Sequence, residues 1–154
     1  MGENAFAGAF ESAYARFHVV LLEACEEGRD WPRRIVAGVR AGIAFAAADP
    51  EAVRTLTTDA MAQGAEGIDR YERLVAYLRG QLAPGRAHLP PDEQLPGVIE
   101  HALASGVLML VAQRVDQGRT AELPALAPEV AQFLLTPYLG AVEARRVANE
   151  PDRS

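Results

Sequence analysis

The chain has 154 residues with a formal net charge of −6, and at 49% hydrophobic and 23% charged it is too apolar for a disordered segment and long enough for one domain with its own core. It contains no lysine, and Arg33-Arg34 and Arg145-Arg146 are its adjacent basic pairs, so the acidic balance argues against direct contact with nucleic-acid phosphates. A lone Cys25 excludes an intramolecular disulfide, and with neither a secretory leader nor an apolar run near the roughly 20 residues a bilayer span needs, the expectation is a cytoplasmic chain with no membrane partner.

Apolar spacing and capping residues predict helices from end to end. The first spans 4–27, with Phe6, Phe10, Tyr14, Phe17, Leu21 and Leu22 at steps of three or four, and Gly28 ends it; that stripe is one amphipathic face. Asp30-Trp31-Pro32 supplies an N-cap and an early-helix proline for a second helix to Ala47, which buries Ile35, Val36, Val39, Ile43 and Phe45. Asp49-Pro50-Glu51 repeats the device and adds an acid where the helix dipole is positive. The third helix carries Val53, Leu56 and Met61 and fades near Gly64.

A fourth helix covers 66–82 with Ile68, Tyr71, Leu74, Val75 and Leu78 on its buried face, and 83–91 reads as a mobile proline-rich loop. From Pro91 a long helix runs to about Asp116 or Gln117 and ends at Gly118. Charge is nearly absent over 102–112, and a helix apolar on more than one face has to be covered on several sides. After the linker around Leu123-Pro124 and Pro128, a last helix runs to Ala148, with Pro137 expected to kink it. Residues 1–8 and 149–154 are expected to fray. The fold class is therefore all-α, about six helices and no sheet, in a single domain over 1–154.

The order of these features resembles the C-terminal domain of TetR-family transcriptional regulators. The resemblance is carried by Phe10-Glu-Ser-Ala-Tyr14, Trp31-Pro-Arg-Arg-Ile35, Phe45-Ala-Ala-Ala-Asp49-Pro50-Glu51, Gly118-Arg119-Thr120, and Leu123-Pro-Ala-Leu126-Ala-Pro128-Glu129 followed by Pro137-Tyr138-Leu139-Gly140, over roughly 10–146. Each piece alone is a helix cap or break. Family members begin with a three-helix DNA-binding domain ending in a helix-turn-helix, and no Ala-x-x-x-Gly-Val-Ser-like turn occurs here. The chain therefore matches the family from about its fourth helix onward, and DNA is expected as a partner only through a helix-turn-helix domain outside it.

The resemblance implies two functional surfaces. One is a cavity inside the second to fourth helices, capped by the first and the long one, for a small hydrophobic effector. Because ligand cavities are mostly apolar with a few convergent polar groups, the candidates are Phe17, His18, Phe45, Met61, Tyr71, Tyr77, His101, Ser105 and Met109, the last three on one line of the long helix. The other surface is a homodimer interface in which the last two helices pair with their copies. The apolar character of those helices supports it independently, since a large exposed apolar patch marks association. Ala102, Leu103, Gly106, Val107, Leu110, Phe133, Leu134, Pro137 and Tyr138 are its candidate residues.

Catalysis is not expected. A di-iron bundle needs Glu-x-x-His pairs, whereas Glu100 and His101 are adjacent and point to different faces; His88 sits in the proline-rich loop with no nucleophile near it in sequence. No cofactor or metal is expected. The expected function is effector sensing and dimerisation, with allosteric control of a DNA-binding head; the alternative is a helical homo- or hetero-dimerisation adaptor with no small-molecule ligand.

Overall fold

A computed structural model describes residues 2–25 and 30–151, which are mostly helical, with no strand among them. Helix α1 (Glu3–Cys25) buries Phe6, Phe10, Ala13 and Leu21. Phe6 pins its first turns, so the helix is ordered into residues expected to fray. Leu22, placed by spacing on the same stripe, is 41% exposed. The expected stop at Gly28 lies outside the described residues.

Helix α2 (Trp31–Ala48) starts where its signals put it: the Asp30 side chain accepts from the Arg33 amide at 3.2 Å, with Pro32 in the first turn. Asp49 both closes α2 and opens α3 (Pro50–Arg54), accepting from the Ala52 amide at 3.1 Å. The Arg16 guanidinium of α1 reaches the same carboxylate, so one acid ties three helices. That ion pair first, and the Ala52 amide second, hold the Asp49 carboxyl below its ordinary range.

The third predicted helix is present but not regular. After α3 the backbone widens into a π-helical turn (Thr55–Asp59) before the short α4 (Ala60–Ala62). Within it the Thr57 hydroxyl donates to the Val53 carbonyl at 2.6 Å, and the Thr55 hydroxyl to the Glu51 carbonyl at 3.1 Å. Helix α5 (Ala65–Leu82) follows, with Tyr71, Leu74 and Val75 buried and Ile68 turned outward.

Two boundaries differ from expectation. Residues 83–88 are not an open loop but a 3₁₀ helix (Ala83–His88), held because Gly85 lies under the Trp31 indole. A Cβ on Gly85 would come within 2.3 Å of that ring. Helix α6 (Ile99–Asp116) begins well after Pro91. Pro96 is the reason: it disfavours helical backbone at Leu95 and has no amide hydrogen of its own. The carbonyls of Leu95 and Pro96 are instead met by the Arg86 guanidinium at 2.6 and 2.7 Å.

The predicted last helix is two. Helix α7 (Leu123–Leu139) runs through both Pro128 and Pro137, and the break comes at Gly140, where φ is +83°, before α8 (Ala141–Ala148). Proline removes one hydrogen bond and can be absorbed, whereas a positive φ ends the helix outright. Helix α2 is the central element, packed against α1, α7, α8 and α3, while α5 and α7 both flank α6. Phe10, Val75, Val115, Leu123, Ala131 and Leu135 are wholly buried. No described helix is long and apolar enough to cross a membrane.

Candidate ligand cavity

The inner face of α2 does not close against its neighbours. Gly38 and Gly42 stand one turn apart on it with no side chain; the nearest atoms to a Cβ on Gly42 would be Phe17 Cε2 at 3.6 Å and Leu21 Cδ2 at 3.7 Å. Around this face lies a cavity of about 240 Å³, walled by α1, α2, the α3–π turn, α5, the 3₁₀ helix, α6 and α7. Space of this size with so few polar groups in its wall is unusual in a close-packed interior, where voids larger than a water molecule are few.

The cavity has two unlike ends. At the end formed by the later part of α2, the Phe17 and Phe45 rings meet edge to face with centroids 5.6 Å apart, beside Val53, Leu56 and Thr57. Thr57 has no donor to spare here, because its single hydroxyl proton is committed to the Val53 carbonyl. The π turn thus shapes the wall, in keeping with the frequent position of such turns at functional sites.

The other end is formed by the start of α2, the end of α1 and the end of α5, and it carries Cys25, Arg34 and Gln81. Trp31 fixes the joint by donating its indole N–H to the Gln81 carbonyl at 2.8 Å. The Cys25 thiol donates to the Arg34 carbonyl at 3.9 Å. Burial pushes that thiol up from its ordinary pKa, and the nearby Arg34 charge partly offsets the rise.

Of the residues singled out by sequence as ligand contacts, Phe17 and Phe45 line the cavity; His18, Met61, Tyr71, Tyr77, His101, Ser105 and Met109 do not. His18 and Tyr77 pack on each other with ring centroids 4.7 Å apart, between α1 and α5. Tyr71 meets Ser105 across the α5–α6 seam, where burial raises the phenol and the Ser105 hydroxyl works against the rise. The His101, Ser105 and Met109 line therefore lies off the face of α6 that meets the void, which is that of Ala104, Val107, Leu108 and Val111. Met61 is 40% exposed. Cys25, Arg34 and Gln81 line it without standing out in the sequence; the two glycines one turn apart on α2 are the sequence feature that marks this wall.

The interface candidates also divide. Leu103, Leu134 and Tyr138 are buried within the chain itself, and Val107 and Leu134 line the cavity. Ala102, Gly106 and Phe133 are exposed, with Leu110 and Pro137 half-buried. A Cβ on Gly106 would lie 3.9 Å from the Phe133 ring, so α6 and α7 present one continuous outer surface there.

A second polar cluster lies beneath α7. Glu100, 7% exposed, receives the Arg86 guanidinium at 2.6 and 3.1 Å and the Tyr138 hydroxyl at 3.1 Å. Burial by itself would raise the Glu100 carboxyl, but the Arg86 and Tyr138 hydrogen bonds outweigh it and the pKa is lowered. Tyr138 is pushed strongly upward by burial and by that carboxylate. All the strong donors and acceptors of this cluster are engaged with one another, which marks it as a structural lock. No group of three or more His, Cys, Asp or Glu able to hold a metal ion occurs among the described residues.

In comparisons with known proteins, no family model, no curated protein and no solved structure matches this chain.

Proposed function

We propose that this chain is the effector-sensing and dimerising unit of a TetR-type transcriptional regulator, in which a small hydrophobic molecule in the α2 cavity controls DNA binding by a helix-turn-helix head. The supporting observation is the cavity itself: about 240 Å³ of space walled mostly by apolar side chains from α1, α2, the α3–π turn, α5, the 3₁₀ helix, α6 and α7. A ligand there touches α1 and α2 together, so it favours whichever arrangement of α1 fits it best, and a shift in that population is the allosteric output. In the complete regulator, α1 would follow the DNA-binding head.

A thermal-shift screen with small hydrophobic molecules tests sensing. Saturable stabilisation is expected, about 2.7 kcal/mol at a ligand concentration a hundred times Kd. A flat screen against a chain that still self-associates overturns sensing and leaves the dimerisation adaptor.

Homodimerisation would use the α6–α7 outer surface of Ala102, Gly106 and Phe133, in a self-complementary two-fold contact. Light scattering should give a dimer that Phe133→Glu converts to a monomer with unchanged helix content. A wild-type chain that is monomeric at every concentration removes this part of the proposal.

A further inference from the structure

We infer that the cavity takes an amphipathic organic anion, a carboxylate on an aliphatic or aryl-alkyl body, with its head at Arg34 and its tail at the Phe17–Phe45 end. The inference rests on the reading of this cavity as a ligand site, and it adds the ligand's chemical class and its direction.

Three arginines of α2 behave differently. Arg33 is neutralised by Asp30 at 2.6 Å and by Glu150 at 2.7 Å, and Arg40 donates to the Glu150 carbonyl at 2.7 Å. Arg34 instead lines the cavity, and its guanidinium has neither an ion pair nor a hydrogen bond among the described residues. Its charge is felt at the Cys25 thiol, which lies on the same wall. A mostly apolar chamber thus has, at one end, a cation with no partner among the described residues.

The opposite end offers no hydrogen-bond donor to a carboxylate, since the Thr57 proton is taken and its neighbours there are Phe17, Phe45, Val53 and Leu56. Charge and shape therefore set one direction: carboxylate toward the start of α2, hydrocarbon toward its end. A neutral ligand leaves the guanidinium unmatched, and a cationic one is repelled by it.

Dimensions limit the ligand. Arg34 and Phe45 are separated by about 17 Å along the α2 axis at about 1.5 Å per residue. A cavity of roughly 150 Å³ holds benzene, so about 240 Å³ corresponds to roughly ten non-hydrogen atoms by the same proportion. An extended fatty acid of about eight to ten carbons is close to that volume and short enough for the span.

The test measures binding of decanoate, 1-decanol and decylamine to the full chain by isothermal titration calorimetry at pH 7, where a carboxylate is ionised and an amine is protonated. Decanoate should bind roughly ten- to a hundred-fold tighter than decanol, the range for a hydrogen bond to a charged group, and decylamine should bind weakest. Arg34→Gln should erase the decanoate advantage and leave decanol unchanged. Arg34→Lys keeps the charge but not the bidentate fork and should retain part of the advantage. Gly42→Leu, checked for native helix content by circular dichroism, should weaken decanoate and decanol alike. If decanol matches decanoate, or Arg34→Gln leaves decanoate unaffected, the anionic head is wrong while the cavity remains a ligand site. If none of the three binds, the ligand-site reading fails and the inference goes with it.

Discussion

Glu100 shows how a buried charge can escape a reading of the sequence. Its position beside His101 invites a search for chemistry, but the side chain is spent on Arg86 and Tyr138, and Arg86 spends its other donors on the carbonyls that precede α6. Because the folded carboxyl titrates below its ordinary value, its contribution is fully present above the unfolded pKa, about 4.3, and is lost as pH falls through the lowered folded value. Glu100→Gln is expected to cost about 1.5–3 kcal/mol at pH 7, the range for a hydrogen bond to a charged group. Its deficit against wild type should shrink toward pH 3, as urea midpoints across that range would show; a constant deficit would falsify the role of the charge. The partnership was not readable in advance, because Arg86 lies in a stretch whose prolines suggest an open loop. The bond that orders that stretch comes from another element.

Among the elements, the best-read boundaries are those whose cause is local. Asp30 and Asp49 each sit directly before a proline-bearing first turn, and each caps the helix its spacing announces. At Asp49 two interactions compete for credit, the cap and the Arg16 pair. The pair is between groups 53% and 32% exposed, so it is worth little, about 0–1 kcal/mol, whereas a lost cap costs about 1 kcal/mol and up to 2. Asp49→Ala should therefore destabilise by about 1–2 kcal/mol and Asp49→Asn, which can still cap, by less than about 0.5 kcal/mol, as denaturant unfolding of the two variants and Arg16→Ala will show. The π turn at Thr55–Asp59 had no such local signature. Its two threonines donate to carbonyls four residues back, a pattern equally compatible with a regular helix. The late start of α6 and the break at Gly140 were misjudged for a related reason: Pro91 and Pro137 were weighted above Pro96 and Gly140. A proline inside a helix is an impediment, but a glycine at positive φ is a stop.

At the scale of the molecule, the all-helical class followed from periodicity, whereas the cavity did not, because an apolar residue facing a void has the same sequence signature as one facing a core. Phe17 and Phe45 were found as large aromatic residues; Arg34 was hidden inside a basic pair that reads as a solvated surface. The void also carries a stability cost that the protein retains. Gly42→Ala adds a methyl at ordinary contact distance from Phe17 and Leu21 and removes a glycine from a helix interior, worth up to about 1 kcal/mol. A rise in Tm of about 2–4 °C is expected, together with weaker ligand binding, measured by calorimetry on the same variant. A rise without loss of binding would place the ligand elsewhere. The chain's single tryptophan gives this void an unplanned convenience. Trp31 stands in the cavity wall, 7% exposed, with its ring edge-on to Tyr138 at 5.2 Å and its N–H held by Gln81. The protein therefore carries its one tryptophan in the wall of its own chamber, and emission excited at the red edge, where tyrosine does not absorb, should change when a ligand enters.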